Sequence, residues 1–346
     1  MKAVYITEHG GVDVLTYGDL PEPEIGAGDV KIRVRACALN RLDVYTRAGV
    51  QGTRLRLNGP HVLGGDVAGE VAEVGAEVTE LKAGDRVVVN PRMTCGQCRH
   101  CVAGRGEFCR RAKMLGSSTS GGYAEFASVP AVNAVPLPDS LSFEQAASLP
   151  TVFLPCWNIL LRRAKLQPWE TVLISSASSG VGTAAIQVAK KVVGARVIAT
   201  TSTAEKARKA RELGADEVIN YREEDVAERV KELTAGAGVE VVLDHVGADF
   251  WPAAIASLAP GGRYGICGVT SGYKAELQLG LMFLRHHTVF GVFMGKTEEL
   301  RQIVEMAGRG VIRGIIHQTF PLRDAAKAHE AMEGLDFFGK LVLTVP

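Results

Sequence analysis

Residues 171–192 read TVLISSASSGVGTAAIQVAKKV. A short apolar run meets a turn of small residues, and a stretch with helical spacing follows, so the segment predicts strand, tight turn, helix. Ala177, Ser179 and Gly182 stand where a strict dinucleotide fingerprint has three glycines, with Gly180 added. Small side chains let a backbone approach a pyrophosphate, and the N-terminus of the following helix favours the negative charge. The turn alone is equally compatible with a purely structural role.

The residues that follow decide between the two. RVIATT (196–201) precedes TAEKARKARELG, EVINY (217–221) precedes EEDVAERVKELTAG, VEVVLDHV (239–246) precedes DFWPAAIASLAPGG, and RYGICGV (263–269) follows. Repeated strand–helix units predict a doubly wound parallel sheet of the Rossmann type, covered by helices on both faces. A last apolar strand, TVFGVF (288–293), lies at the sheet edge in this reading, where its unpaired backbone groups call for a partner. Residues 1 to about 140 have another texture. Short alternating runs (KAVYI, VKIRVRA, GEVAEV, DRVVV, YAEFASV) are separated by Gly and Pro, which predicts a β-rich domain. KLVLTV (340–345) is a further strand that returns to it. The organisation read from the sequence is 1–150 together with 296–346 as one domain and 151–295 as the nucleotide-binding domain.

Composition narrows the function classes. The chain has 346 residues, 47% hydrophobic, with 39 Lys plus Arg against 38 Asp plus Glu, a formal net charge of +1. This gives no footprint for nucleic acid or an anionic membrane. The N-terminus lacks a signal-peptide core, and the most apolar run, AASLPTVFLPCWNILL, is broken by Pro150, Pro155 and Asn158. A soluble, cytoplasmic protein is the expectation. Seven cysteines, an odd number, fit reduced thiols better than a disulfide framework.

Four of those cysteines, Cys95, Cys98, Cys101 and Cys109, fall within CGQCRHCVAGRGEFC (95–109). Thiolates at this spacing can close a tetrahedron around Zn²⁺ with no open position, the structural kind of site. Arg99, His100, Arg105, Arg110 and Arg111 make the lobe basic, as a nucleic-acid-binding ribbon would be, and the neutral chain argues against that reading.

The end of the second strand should distinguish the nicotinamide cofactors, because an acid there binds the ribose 2′-hydroxyl and repels a 2′-phosphate. ATTSTAEK has no acid before Glu205, while Thr201, Ser202 and Lys206 offer donors and charge. Tyr221 and Arg222 follow the third strand within reach of the same group. NADP is therefore expected, with NAD the alternative. The cofactor-binding candidates are Ser178, Ser179, Gly180, Val181 and Gly182 in the turn, Thr201, Ser202, Lys206 and Tyr221, and Val246 and Gly268 where the next two strands end.

With these features in place, the whole chain resembles the medium-chain dehydrogenase/reductase superfamily, whose β-rich domain is GroES-like. NRLDVYTRAG (40–49) and SSGVG (178–182) look like the quinone oxidoreductase branch, and the four-cysteine lobe looks like the structural zinc loop of the zinc alcohol dehydrogenases. The resemblance also implies where a catalytic zinc would be held. Against Cys-His-Thr-Asp this chain has Asn40, Arg41, Leu42 and Asp43; against Gly-His-Glu it has Gly64, Gly65 and Asp66; the third ligand position falls on Thr151. No catalytic metal is expected. A zinc-free site suits quinones and α,β-unsaturated carbonyls, which accept hydride at a carbon conjugated to the oxygen and so delocalise the developing charge. By resemblance, Asn40 and Tyr45 are the candidate donors with Thr151 next, Asp43 and Arg47 brace the segment, and Lys340 either reaches the cofactor or pairs with Asp66. The expectation is an NADPH-dependent reductase acting on a small molecule, a homodimer or dimer of dimers. An NAD(P)-dependent alcohol dehydrogenase, and a nucleotide- or nucleic-acid-binding protein without turnover, are the alternatives.

Overall fold

The computed structural model describes residues 1–50 and 52–346. The chain forms two compact units, Met1–Thr151 with Lys296–Pro346, and Val152–Gly295. The first junction lies one residue beyond the sequence reading, and Thr151 is the residue concerned.

In the unit Val152–Gly295, six parallel strands run in the order Glu217–Asn220, Arg196–Thr201, Thr171–Ile174, Val239–Asp244, Leu258–Ile266, Thr288–Gly291. This is the doubly wound order of a Rossmann sheet, with the first strand central. Three of its helices begin where a short polar side chain takes an orphan backbone N–H. Ser179 accepts from Gly182 N, Thr203 from Lys206 N and Asp225 from Glu228 N. Gly182 admits no side chain, since a Cβ there would lie 2.2 Å from the Ser176 carbonyl oxygen. The core is Leu173, Ile198, Ile219, Val242, Leu258 and Tyr264 from the strands, with Phe250 from a covering segment. Burying each such side chain contributes about 1.5–3 kcal/mol. One boundary differs from the sequence reading: the pattern sets APGG (259–262) at the end of a helix, yet the strand starts at Leu258. Leu258 pairs with Val239 across a register irregularity that absorbs the Pro and Gly residues.

In the other unit, the strands run in the order Ala134–Pro136, Arg86–Val89, Asp66–Val74, Asp29–Ala38, Lys340–Thr344, Ile316–Pro321. Lys340–Thr344 pairs antiparallel with Asp29–Ala38, with Val342 opposite Ala38. That register sets Lys340 beside the chain just after Ala38. Residues 41–48 form a helix. Asp43 accepts the Asn40 N–H at 2.8 Å, and Gly49 closes the helix in the left-handed conformation (φ 68°), a conformation that a β-carbon disfavours.

Candidate functional site

In the unit Val152–Gly295, the turn after Thr171–Ile174 presents the N-terminus of Gly180–Gln187. Because Ser179 Oγ takes the Gly182 N–H (2.8 Å), the N–H groups of Gly180 and Val181 are the first-turn donors left for an anion. Ser178 and Val181 are half-buried at this turn. Ser179 is not a spare phosphate donor, since its hydroxyl also lies 2.7 Å from His245 Nε2. Val246 N–H donates to Asp244 Oδ1 (2.8 Å), and Gly268 packs so closely on His245 that a Cβ would lie 2.9 Å from its carbonyl oxygen.

At the end of the second strand, the Thr201 hydroxyl is buried and has no hydrogen-bond partner among the described residues. Such an orphan costs about 1–3 kcal/mol unless a ligand meets it. Ser202 and Lys206 are half-buried and Tyr221 is exposed. The first acid, Glu205, is paired with Lys209 at 2.9 Å. The cradle at Gly182, the orphan at Thr201 and the absence of an acid at residues 201–204 together fit a dinucleotide with a phosphorylated ribose.

In the other unit, the three places where a catalytic zinc would need ligands converge on one carboxylate. Asp66, fully buried, accepts from Thr151 Oγ1 (2.6 Å) and Thr151 N (3.1 Å) on Oδ1, and from Asn40 Nδ2 (2.9 Å) and Lys340 Nζ (3.3 Å) on Oδ2. Lys340, 3% exposed, also donates to Leu39 O and to Asn40 Oδ1, both at 2.6 Å. Its three N–H groups are thus used inside this unit, and of its two sequence readings the structure realises the pairing with Asp66. The Asn40 amide, expected from the sequence to be a substrate donor, is turned to Asp66, and it makes a second, longer contact to Ala38 O (3.5 Å). The Thr151 proton is likewise directed at Asp66. The sequence reading has both donating to substrate; a buried carboxylate, the stronger acceptor, claims them instead. Tyr45 is half-buried on the helix Arg41–Ala48 and is the remaining member of the set.

Asp43 and Arg47 do brace this helix. Asp43 Oδ1 accepts from Gly64 N (3.1 Å), while burial, opposed by the Asn40 N–H, pushes its carboxyl up to about 7. Arg47 donates to Gly10 O and Glu333, and lies 3.2 Å from His329 Nδ1, whose Nε2 faces Tyr123 OH at 3.2 Å. Arg47 as donor fixes His329 as the Nε2–H tautomer. The Cys37 thiol is buried and its acidity suppressed by that burial, so it offers no thiolate.

The four lobe thiols cluster as the spacing predicts. All four Sγ atoms lie within 4.8 Å of one another, with pairs at 3.5, 3.5 and 3.9 Å. A tetrahedron with Zn–S bonds of about 2.3 Å has edges of about 3.8 Å, so the thiols fit zinc, and they stand well beyond disulfide length. Backbone N–H groups, first that of Gln97, pull the Cys95 thiol down to about 6, as a metal ligand requires. Among the described residues, these cysteines are the only group of three or more Cys, His, Asp or Glu side chains placed to hold a metal. No helix among the described residues is long and apolar enough to cross a membrane.

Sequence reasoning missed Asp66 as a hub, and His245 with Ser175 and Asp244 beneath the turn. An acid closing the strand in VLDHVGAD was the available signal for the second group.

Residues 26–139 match the family described as the alcohol dehydrogenase GroES-like domain, and residues 180–309 the zinc-binding dehydrogenase family. The chain is 34% identical over 351 residues to a quinone oxidoreductase of Pseudomonas aeruginosa, with 99% of each chain covered. Among solved structures it is similar to one described as an NAD-dependent alcohol dehydrogenase, at 42% identity and TM-score 0.95 over 100% of both chains. It is also similar to the Escherichia coli quinone oxidoreductase complexed with NADPH, at 31% identity and TM-score 0.83, over 99% of this chain and 100% of that one. A GroES-like β domain, a Rossmann sheet with its phosphate-binding turn and these full-length relatives place the chain in the medium-chain dehydrogenase/reductase superfamily, as an NAD(P)-dependent oxidoreductase.

Proposed function

We propose that the protein uses NADPH to reduce a quinone or an α,β-unsaturated carbonyl, and that its zinc is structural only. The observation that carries this reading is the Lys340–Asp66 pair. Where a catalytic zinc would need a thiolate and an imidazole, the chain supplies an amide, a glycine and a hydroxyl gathered around a carboxylate that an ammonium already neutralises. Neither an amide nor a hydroxyl is a ligand that zinc prefers.

Bound at the turn that opens the helix Gly180–Gln187, the cofactor would supply hydride to the carbon conjugated to the substrate oxygen. The residues Thr201, Ser202, Lys206 and Tyr221 favour its 2′-phosphate, and the similarity to an NADPH-complexed quinone oxidoreductase supports that choice. One proton completes the reduction, and Tyr45 is the residue assigned to deliver it. Asn40 and Thr151, turned inward to Asp66, hold the surface on which the substrate oxygen rests. Cys95, Cys98, Cys101 and Cys109 would hold zinc, which cross-links the lobe.

The protein acts as a homodimer or a dimer of dimers in this reading. Thr288–Gly291 is a sheet edge, and the neighbouring helix Leu279–Leu284 exposes Leu279 (71%), Phe283 (69%) and Leu284 (68%). Such an apolar patch is rare on a monomer.

The test is a panel of quinones, enones, aldehydes and alcohols assayed by cofactor absorbance, with wild type and Tyr45→Phe. Quinones or enones should oxidise NADPH, and Tyr45→Phe should slow turnover by about 10²–10³ with NADPH affinity unchanged. Alcohol-dependent reduction of NAD, which the similarity to an alcohol dehydrogenase makes the alternative, or tighter binding of NADH than NADPH, would refute the reading.

A further inference from the structure

His245 follows the acid that ends the strand Val239–Asp244, and its ring sits beneath the phosphate-binding turn, 8% exposed. Nε2 lies 2.7 Å from Ser179 Oγ, and Nδ1 lies 3.3 Å from Ser175 Oγ. Ser175 and Asp244 are fully buried, and the Ser175 hydroxyl donates to Asp244 Oδ1 at 2.8 Å. A hydroxyl has one proton. Since that of Ser175 goes to the carboxylate, Nδ1 must donate to Ser175, and Nε2 is left as an acceptor for the Ser179 hydroxyl.

The bonds therefore run in one direction: Gly182 N–H to Ser179, Ser179 to His245, His245 to Ser175, Ser175 to Asp244. Such a chain strengthens each member, and its end is anchored by Val246 N (2.8 Å), Gly247 N (3.0 Å) and the Tyr264 hydroxyl on the same carboxylate. Burial holds the imidazole down near 4, against the pull of Asp244, so the ring is neutral at physiological pH and able to accept. With its proton drawn inward, Ser179 keeps its oxygen on Gly182 and leaves the N–H groups of Gly180 and Val181 aimed outward. Its other acceptor, the Ser176 carbonyl at 3.0 Å, lies within the turn itself and anchors nothing to the sheet.

We propose that His245 is a positioning residue for the cofactor: it ties the phosphate-binding turn to the buried carboxylate of the fourth strand and so sets the affinity for the dinucleotide pyrophosphate. The proposal rests on the cofactor reading above.

The experiment is fluorescence titration of NADPH into wild type, His245→Gln, His245→Asn, Ser179→Ala and the double variant His245→Asn/Ser179→Ala. Gln can reach Ser179 with an acceptor, whereas Asn is too short. His245→Asn should raise the Kd for NADPH about tenfold, the loss of one hydrogen bond, and His245→Gln should recover most of it. The double variant should bind no worse than Ser179→Ala, and turnover at saturating NADPH should hold in both His245 variants. Equal affinities for Asn and Gln, or additive losses in the double variant, would overturn the proposal, because a ring that only fills space gives no such split. Wild type that fails to bind NADPH at all overturns the cofactor reading instead.

Discussion

Replacing Lys340 with Met removes the cation that compensates Asp66 while keeping most of the side-chain volume. Asp66 is fully buried, and three donors would remain on it: Thr151 Oγ1, Thr151 N and Asn40 Nδ2. The carboxylate stays solvated by the protein but loses its counter-charge, and two further acceptors, Leu39 O and Asn40 Oδ1, lose their donor. Breaking one side of a buried ion pair costs about 3–5 kcal/mol, a large part of the 5–15 kcal/mol typical of a whole domain. Adding Asp66→Asn should restore much of the loss. With Lys340 gone, the Asn40 amide is free to flip and present Oδ1 to the new amide N–H, so the pair is bonded without charge. All three tryptophans, Trp157, Trp169 and Trp251, lie in the other unit, so indole fluorescence would miss the change. Hydrogen exchange of the strands Asp66–Val74 and Lys340–Thr344 under increasing denaturant reports it directly. A loss below about 1 kcal/mol in Lys340→Met, or a double variant as unstable as the sum of the two singles, would show that the pair is not compensating a buried charge.

Three further outcomes follow from the same geometry. Purified protein should carry one zinc per chain, lost with a fall in stability when any of the four lobe cysteines is replaced by Ser; elemental analysis giving two metals would contradict the proposal that the zinc is structural only. Asp43, raised in the fold to about 7, binds a proton in the folded chain between about pH 4 and 7 that the unfolded chain has released, so stability falls as pH rises through that window and levels off above it. Asp43→Asn should flatten this slope, and denaturant midpoints at acidic and alkaline pH that move in parallel for both proteins would refute it. Sedimentation should give a dimer or larger at micromolar concentration, and Phe283→Glu with Leu284→Glu should shift it to monomer; a wild type that is monomeric throughout would remove the interface.

The Rossmann unit was legible because its signals are local. Periodicity marks each strand and helix, and Ser179, Thr203 and Asp225 stand at helix starts as short polar caps. The helix Arg41–Ala48 carries local signals too, Asn40 with Asp43 three residues on and Gly49 at its end. What the sequence withheld is register. Lys340 and Asp66 lie 274 residues apart, and only the pairing of Val342 with Ala38 brings the ammonium to Asn40. Ser175 meets Asp244 because Ile174 pairs with Leu243, one residue earlier on each strand. Neither pairing leaves a trace in composition or spacing.

Two sites within the unit Met1–Thr151 with Lys296–Pro346 treat cations in opposite ways, and the difference bears on the chemistry. In the lobe, four soft thiols converge, and backbone N–H groups stabilise the charged form of Cys95, which is what a divalent metal rewards. Around Asp66 the donors are hard and mostly neutral, and the positive charge is a lysine on a strand, fixed by three acceptors. A zinc ion can draw a substrate oxygen into its coordination shell. The Lys340 ammonium, with every N–H committed, can act on such an oxygen only through space, and Asp66 cancels much of its field. Stabilisation of a developing alkoxide is thus weak here, and the substrates left within reach are those that spread their own negative charge. Quinones and enones do so by conjugation; a simple alcohol or ketone does not. The preference proposed for this enzyme therefore follows from a lysine and an aspartate that meet in the core, more than from any residue that touches the substrate.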